Sequence, residues 1–329
     1  MKIPLWPKQN WLRVAILLLA VVLVPYVFSR LTSPWRCLSI HTTNDISSSK
    51  LSESGSPLRI ACYNIAHGRG LAESNWDGGN SAERIQRLDQ IAEVLREIDA
   101  DVVVLNEVDF DSSWSYSVNQ ARYLAQKAGY TYWAEQRNLD FRILAWKWRF
   151  GNAVLSKYPI SDGQVVDLPG YSSWETVLAG KKRGLVCDIT LGDRELRIFG
   201  AHLSHRSESL RVKSAEVFLD IATESSQPTI VAGDLNSTPP GFPESVSDSR
   251  GNNAIVTLDD SGCFQRKPIA TPTTNHGLTY RSDDPSSVID WILIPHEWRF
   301  SQYNVKASEL SDHRPVYADV ARGMSGSHL

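Results

Sequence analysis

The sequence predicts a mixed α and β domain standing behind an N-terminal apolar segment and a polar tether. Three observations predict it. From Leu58 onward, short apolar runs alternate with amphipathic stretches at helical spacing. Residues 39–57 are rich in Ser, Thr and Asn and lack apolar periodicity. Before them, Val14 to Phe28 carries no charge and has AILLLAVVLV at its heart.

Composition bounds what these segments can mean. The 329 residues are 42% hydrophobic, enough to build a core and too apolar for a disordered chain. With 34 basic against 37 acidic residues, the net charge of -3 excludes the global positive field of a nucleic-acid binder, while leaving room for local basic patches. Cys37, Cys62, Cys187 and Cys263 are far apart, lack metal-ligand spacing and are too few for a disulfide scaffold. Cys62 and Cys187 lie inside apolar runs and read as small core residues.

Residues 1–38 form the first unit. Lys2, Lys8 and Arg13 precede the uncharged run, and Pro25 interrupts its far end. Its 15 residues reach the top of the range for a signal-peptide core and fall short of the roughly 20 that cross a bilayer unaided. Two fates are open. Trp11 and Leu12 lengthen the run into an uncleaved anchor if Arg13 snorkels, whereas Val27-Phe28-Ser29 offers a poor but usable cleavage site. The leading basic residues place the N-terminus inside and the rest outside the cytoplasm, membrane-anchored or secreted, with Arg30 and Arg36 running against that orientation. Membrane contact is expected through residues 14–28.

After the tether, one domain is expected over residues 58–322, followed by a flexible tail, 323–329. Leu58 to Asn64 reads as its first strand. Ile85, Leu88, Ile91, Ala92, Leu95 and Ile98 fall at helical spacing, and Asp101 to Asn106 returns as a buried strand. A helix is expected from about Ser117 to Ala128, stopped by Gly129. Asn152 to Leu155, Gly184 to Leu191 and Glu195 to Ala201 read as strands, the last two joined by a Gly192-Asp193 turn. Leu210 to Ile221 has the spacing of a helix, and Thr229 to Ala232, Val288 to Ile294 and Val316 to Val320 complete the strands.

The chemistry collects where apolar runs end. Asn64 closes the first and Glu107 the second, in Leu105-Asn106-Glu107-Val108. Hard divalent cations take oxygen ligands and often only one or two protein carboxylates, so Glu107 with Asn64 is the candidate metal site. Gly233-Asp234-Leu235-Asn236 follows another run. Gly233 permits an unusual backbone angle, so Asp234 can hold or deprotonate water while Asn236 donates to a phosphoryl oxygen. Asp290, alone in the apolar Val288 to Ile294, needs a partner, and His313 in Ser311-Asp312-His313-Arg314 needs a carboxylate to fix its tautomer. We pair them, and assign Asp312 to the metal or the attacking water. His202, in Gly200-Ala201-His202, is placed to stabilise charge or protonate a leaving group, with His205 on the surface. The glycines of Asn64-Ile65-Ala66-His67-Gly68-Arg69-Gly70 leave room for a phosphate that Arg69 and His67 could meet; a flexible loop explains that segment equally well.

In this order, Asn64, Glu107, Gly151-Asn152-Ala153-Val154-Leu155-Ser156, His202, Asp234 with Asn236, Asp290 and Asp312-His313 resemble the endonuclease, exonuclease and phosphatase superfamily, also called deoxyribonuclease I-like. The resemblance implies an α+β fold, a four-layer αββα sandwich of two mixed β-sheets with outer helices. It implies Mg2+ (or Mn2+) as cofactor, held by Glu107 and Asn64, and Asp234, Asn236, Asp290, His202 and His313 around the phosphate, with Asn152 among the substrate-binding residues. The expected activity is water attack on a phosphate ester. Ile289-Asp290-Trp291 departs from the Cys-Asp-Arg of the inositol polyphosphate 5-phosphatases, and His202 from the asparagine of apurinic-site endonucleases. Phosphodiesters remain, either nucleic acid or a lipid head group, as does a non-catalytic module of the same fold. Aromatic residues from Trp114 to Trp174, interleaved with Arg137, Arg142, Lys147, Arg149 and Lys181 to Arg183, suit either substrate. No protein partner is implied.

Overall fold

The computed structural model describes residues 8–43, 57–143, 145–172, 176 and 180–322. Along the chain these form α1 (Lys8–Thr32), β1 (Leu38–Thr42), β2 (Leu58–Asn64), α2 (Ser81–Ile98), β3 (Val102–Asp109), α3 (Gln120–Ala128), β4 (Tyr132–Ile143), β5 (Trp146–Ser156), β6 (Ile160–Asp167), β7 (Arg183–Leu191), β8 (Arg194–His202), α4 (Glu208–Glu224), β9 (Thr229–Asp234), α5 (Ala254–Asp260), β10 (Phe264–Arg266), β11 (Asp290–Pro295), β12 (Trp298–Val305) and β13 (Val316–Arg322).

The strands make two mixed sheets, one ordered β1-β4-β5-β3-β2-β13-β12 and the other β10-β11-β9-β8-β7-β6. Among the described strands, only β2–β3 and β8–β9 pair in parallel, and a parallel pair needs a long crossover, supplied here by α2 and α4. The central strands are apolar on both faces because both faces are covered. On β2, Ile60 and Cys62 join Val104, Ile198, Ala232 and Ile292 between the sheets, while Ala61 and Tyr63 turn outward beneath Leu88, Ile91 and Leu95 of α2. On the other side, Val231, Trp291 and Leu293 meet Ala215 and Phe218 of α4. Four layers result, as the resemblance implies. Each fully buried Leu, Ile, Val or Phe contributes about 1.5–3 kcal/mol relative to exposure.

Local signals set the helix ends. The Asn80 side chain accepts from the amides of Ala82 and Glu83 while Glu83 accepts from the Asn80 amide, a reciprocal cap that starts α2. Asn119 caps α3, so that helix begins later than Ser117, and Gly129 ends it in a left-handed conformation.

The expected tether requires correction. Residues 38–42 form β1, hydrogen-bonded in register to β4 at the sheet edge, and Arg137 N donates to Cys37 O just before it. Of the remainder of the predicted linker, residues 44–56 lie outside the described residues, as do Trp174 and 323–329. The apolar run is one helix, α1, continuous through Pro25, and its apolar side chains from Trp11 to Phe28 are largely exposed. The helix is long and apolar enough to cross a membrane.

Candidate active site

The two parallel pairs face each other across the sandwich, and their carboxyl ends open into one cavity of about 520 Å³. Register explains the convergence: Asn64 stands opposite Asn106 in one sheet, and Asp234 lies between His202 and Asp290 in the other. Glu107 reaches the cavity through a local irregularity. The β3–β5 register shifts between Leu105 and Val108, and Glu107 takes φ +52°, so its side chain is re-aimed where regular pleating would alternate it away.

The sheets are tied together at the cavity floor. Asn106 accepts from the Asp234 amide at 2.9 Å and donates to Asn152 Oδ1 at 2.8 Å. Gly233 makes this approach possible. It adopts φ +135°, and a Cβ there would lie 2.1 Å from Ala201 O and 2.8 Å from Asn106 Oδ1.

The expected Asp290–His313 pair is present. His313 Nδ1 lies 2.9 and 3.1 Å from the two Asp290 oxygens, and its Nε2 is 3.6 Å from Asp234. Burial opposes a charge on His313, but Asp290 and Asp234 outweigh it and push its pKa up to about 10. Burial raises the Asp234 carboxyl, against the pull of His313. Asn64 Nδ2 donates to Asp234 at 3.1 Å, and His202 Nε2 lies 3.5 Å from it. Burial, reinforced by Lys182, drives the His202 pKa well below the ordinary range. The amide of Asn236 donates to Asp234, and its side chain donates to Leu203 O.

A second acidic pair faces the first. Arg69 bridges Glu107 at 3.0 Å and Asp312 at 3.1 Å. Burial would raise the Glu107 carboxyl, but His67, His202 and Arg69 together hold it well below the usual carboxylate range. His67 lies 3.4 Å from Glu107 and places Nδ1 2.8 Å from Asp109, which also accepts from Trp114 Nε1 at 2.7 Å. Burial disfavours the His67 charge, yet Asp109 and Glu107 leave its pKa raised.

All the expected site residues but one therefore surround a single cavity or bond to its walls. Asn152 is the correction. It is fully buried, its oxygen accepts from Asn106, and its amide donates to Gln136 Oε1 and Arg183 O, which leaves it no donor for a phosphate. Gly151 and Phe150 take its place in the wall. Asn64 turns its amide nitrogen to Asp234 and its oxygen to the Ala66 amide, so it positions Asp234. Arg69 faces carboxylates. The His67 loop is a packed turn: Gln120 and Arg84 donate to His67 O, and Arg87 to Gly68 O. His205 is exposed at the rim.

Reading by residue type passed over Asn106, Asp109 and Tyr280. The first two stand beside Glu107 in a run whose polar density was the available signal. Tyr280 packs its ring 4.8 Å from that of His313, from a loop with no periodicity to mark it.

Glu107 and Asp312 suit a divalent cation. They offer oxygen donors about a fifth to a quarter exposed to the cavity, and they already share one cationic group. Asp234, Asp290 and His313 also bring ligand atoms within 4.8 Å of one another, but both Asp290 oxygens are engaged by the imidazole, which a cation would have to displace.

The sequence model of the "Endonuclease/Exonuclease/phosphatase family" matches residues 61–313. No curated protein sequence matches the chain. Among solved structures, an endonuclease/exonuclease/phosphatase family protein from Bacteroides thetaiotaomicron superposes with a TM-score of 0.60 at 16% identity, over 83% of this chain and 100% of that one. The mannosyl-6-phosphatase of the same organism gives 0.57 at 15% identity, over 80% and 99%. The human nocturnin catalytic domain with bound sulfate gives 0.56 at 14% identity, over 88% and 98%. At these identities the likeness is one of fold, whereas the family match spans most of the chain. The chain belongs to the endonuclease/exonuclease/phosphatase family, whose members are phosphoric ester hydrolases.

Proposed function

We propose that the chain is a divalent-cation-dependent phosphodiesterase, with its domain of residues 58–322 held outside the cytoplasm by α1. The observation that carries the reading is the convergence on one cavity of a buried imidazole–carboxylate pair and a cation-bridged carboxylate pair. Mg2+ or Mn2+ on Glu107 and Asp312 would supply Lewis-acid polarisation of a phosphoryl oxygen.

The remaining steps belong to side chains. Asp234, raised by burial to about 7, accepts the proton of the attacking water as that oxygen bonds phosphorus, and the ester oxygen whose bond to phosphorus breaks takes a proton from solvent water. His313, held cationic by Asp290, donates a hydrogen bond to a nonbridging oxygen. His202, kept neutral by burial, completes the cradle with Asn236. Lys181, Lys182 and Arg206 line the mouth and attract an anionic ester.

The test is hydrolysis of bis(p-nitrophenyl) phosphate by the full chain with Mg2+, with Mn2+ and with EDTA, for wild type and His313→Ala. Activity only with a cation, lost in the variant, is expected. Equal activity in both proteins under EDTA would refute the reading.

The structure also favours an uncleaved α1. Ser29 is buried, donates to Asp140 O and accepts from Arg142 N, so cleavage at Val27-Phe28-Ser29 would cut through packed structure.

A further inference from the structure

Contacts between the first residues and β4 progress in one direction. Arg137 N donates to Cys37 O, Arg36 meets Asp140 at 3.1 Å, Ser29 bonds Asp140 O and Arg142 N, and the Tyr26 ring packs on Phe141 at 5.8 Å. Advancing along β4 thus means retreating along α1 toward its apolar span. The outer end of the β4–β5 hairpin therefore lies beside the stretch where α1 becomes uniformly apolar. Trp11 to Phe28 measures about 27 Å at about 1.5 Å per residue, close to the ~30 Å of a hydrocarbon core.

From Tyr26 an unbroken series of rings leads to the cavity. Phe141 lies 4.3 Å from Trp148, Trp148 6.4 Å from Trp114, Trp114 5.9 Å from Phe150, and Phe150, in the cavity wall, 5.3 Å from His67. Two members face solvent. Trp146, 6.4 Å from Trp148, is 51% exposed, and Trp76, 5.9 Å from Trp146, is 55% exposed. Exposed indoles joined by packing to the end of an apolar helix match the chemistry of the bilayer interface, where an amphipathic ring keeps its N–H wet and its face in the acyl boundary. Arg142 and Lys147, paired across the hairpin beside Trp146, would meet anionic head groups at the same level.

We propose that Trp76 and Trp146 form a membrane-docking surface continuous with α1, and that it holds the cavity mouth against the bilayer that α1 enters. The substrate is then the phosphate ester of a lipid head group in that same bilayer. This last step rests on the phosphoesterase reading above; the docking geometry does not.

The test uses the full chain reconstituted in vesicles of phosphatidylcholine, phosphatidylglycerol and sphingomyelin. Trp146→Cys on a Cys37→Ser/Cys263→Ser background, carrying a fluorophore, should be quenched by lipids spin-labelled near the head group. A label at Arg299→Cys, on a strand at the opposite edge of the same sheet, should not. In parallel, Trp76→Ala/Trp146→Ala should lower vesicle-lipid hydrolysis by about tenfold, as expected if roughly 1.4 kcal/mol of docking is lost, and leave bis(p-nitrophenyl) phosphate hydrolysis unchanged. An unquenched label at 146 overturns the docking surface. Hydrolysis of the soluble ester without hydrolysis of vesicle lipid, or a variant that loses plasmid cleavage but no lipid cleavage, overturns the substrate. No hydrolysis of any ester would sink the phosphoesterase reading and leave the quenching result to decide the docking.

Discussion

The cavity holds two acidic pairs neutralised in different ways. Asp234 and Asp290 share a histidine fixed by two bonds to one of them, whereas Glu107 and Asp312 share the guanidinium of Arg69. An imidazole, even with its pKa raised to about 10, can exchange a proton in the accessible pH range and a guanidinium does not. On the proposed reading the difference separates the labour: the first pair manages protons, while the second exchanges Arg69 for a metal cation.

That contrast can be broken most severely at His313. His313→Ala should lower kcat/KM for a soluble diester by about 10³-fold, at the upper end of the usual range for losing one preorganised hydrogen-bond donor, and Asp290→Asn by a smaller factor. An Asp290→Asn loss as large as that of the histidine would mean that His313 is useless without the carboxylate that orients and charges it. At the second pair, Arg69→Met should lower the half-saturating Mg2+ concentration by about tenfold, the equivalent of one charged hydrogen-bond pair removed from competition. If the KM for ester rises with Mg2+ affinity unchanged, Arg69 binds phosphate and the proposed exchange fails.

Stability sharpens the contrast further. The folded His313 pKa is raised from 6.5 to about 10, so its stabilisation is complete below pH 6.5 and is lost as pH climbs toward 10. In EDTA, the melting temperature of wild type should fall across that window more steeply than that of His313→Gln. Replacing Arg69 should leave that slope unchanged. The smallest effect on rate is expected at Asn152. Asn152→Ala should cost about 1–3 kcal/mol of stability by stranding its buried partners, with kcat nearly intact, measured by urea unfolding beside steady-state kinetics.

Much of the site was legible because each reactive residue interrupts or ends an apolar run, and polarity beside Val and Ile is conspicuous. Asp290 is the clearest case: one carboxylate in an otherwise apolar strand implied a partner, and His313 provides it. Asn152 entered through the resemblance alone; here its amide donates to Arg183 O and ties the two sheets together. β4 was missed because its alternation is masked by buried charge. Glu135 and Asp140 are buried, and Asp140 answers Arg36 and Arg149, partners 104 and 9 residues away. β1 looks like tether in the sequence because an edge strand of five residues, mostly exposed, carries little apolar signal.

The bond from Asn106 to the Asp234 amide joins one half of the chain to the other. Neither sheet alone can assemble a reaction centre, so separated pieces would be inert and catalysis would switch on in a single event when the halves meet. A hydrolase built this way cannot attack phosphate esters while its chain is still unfolded, whichever side of a membrane it is on at the time.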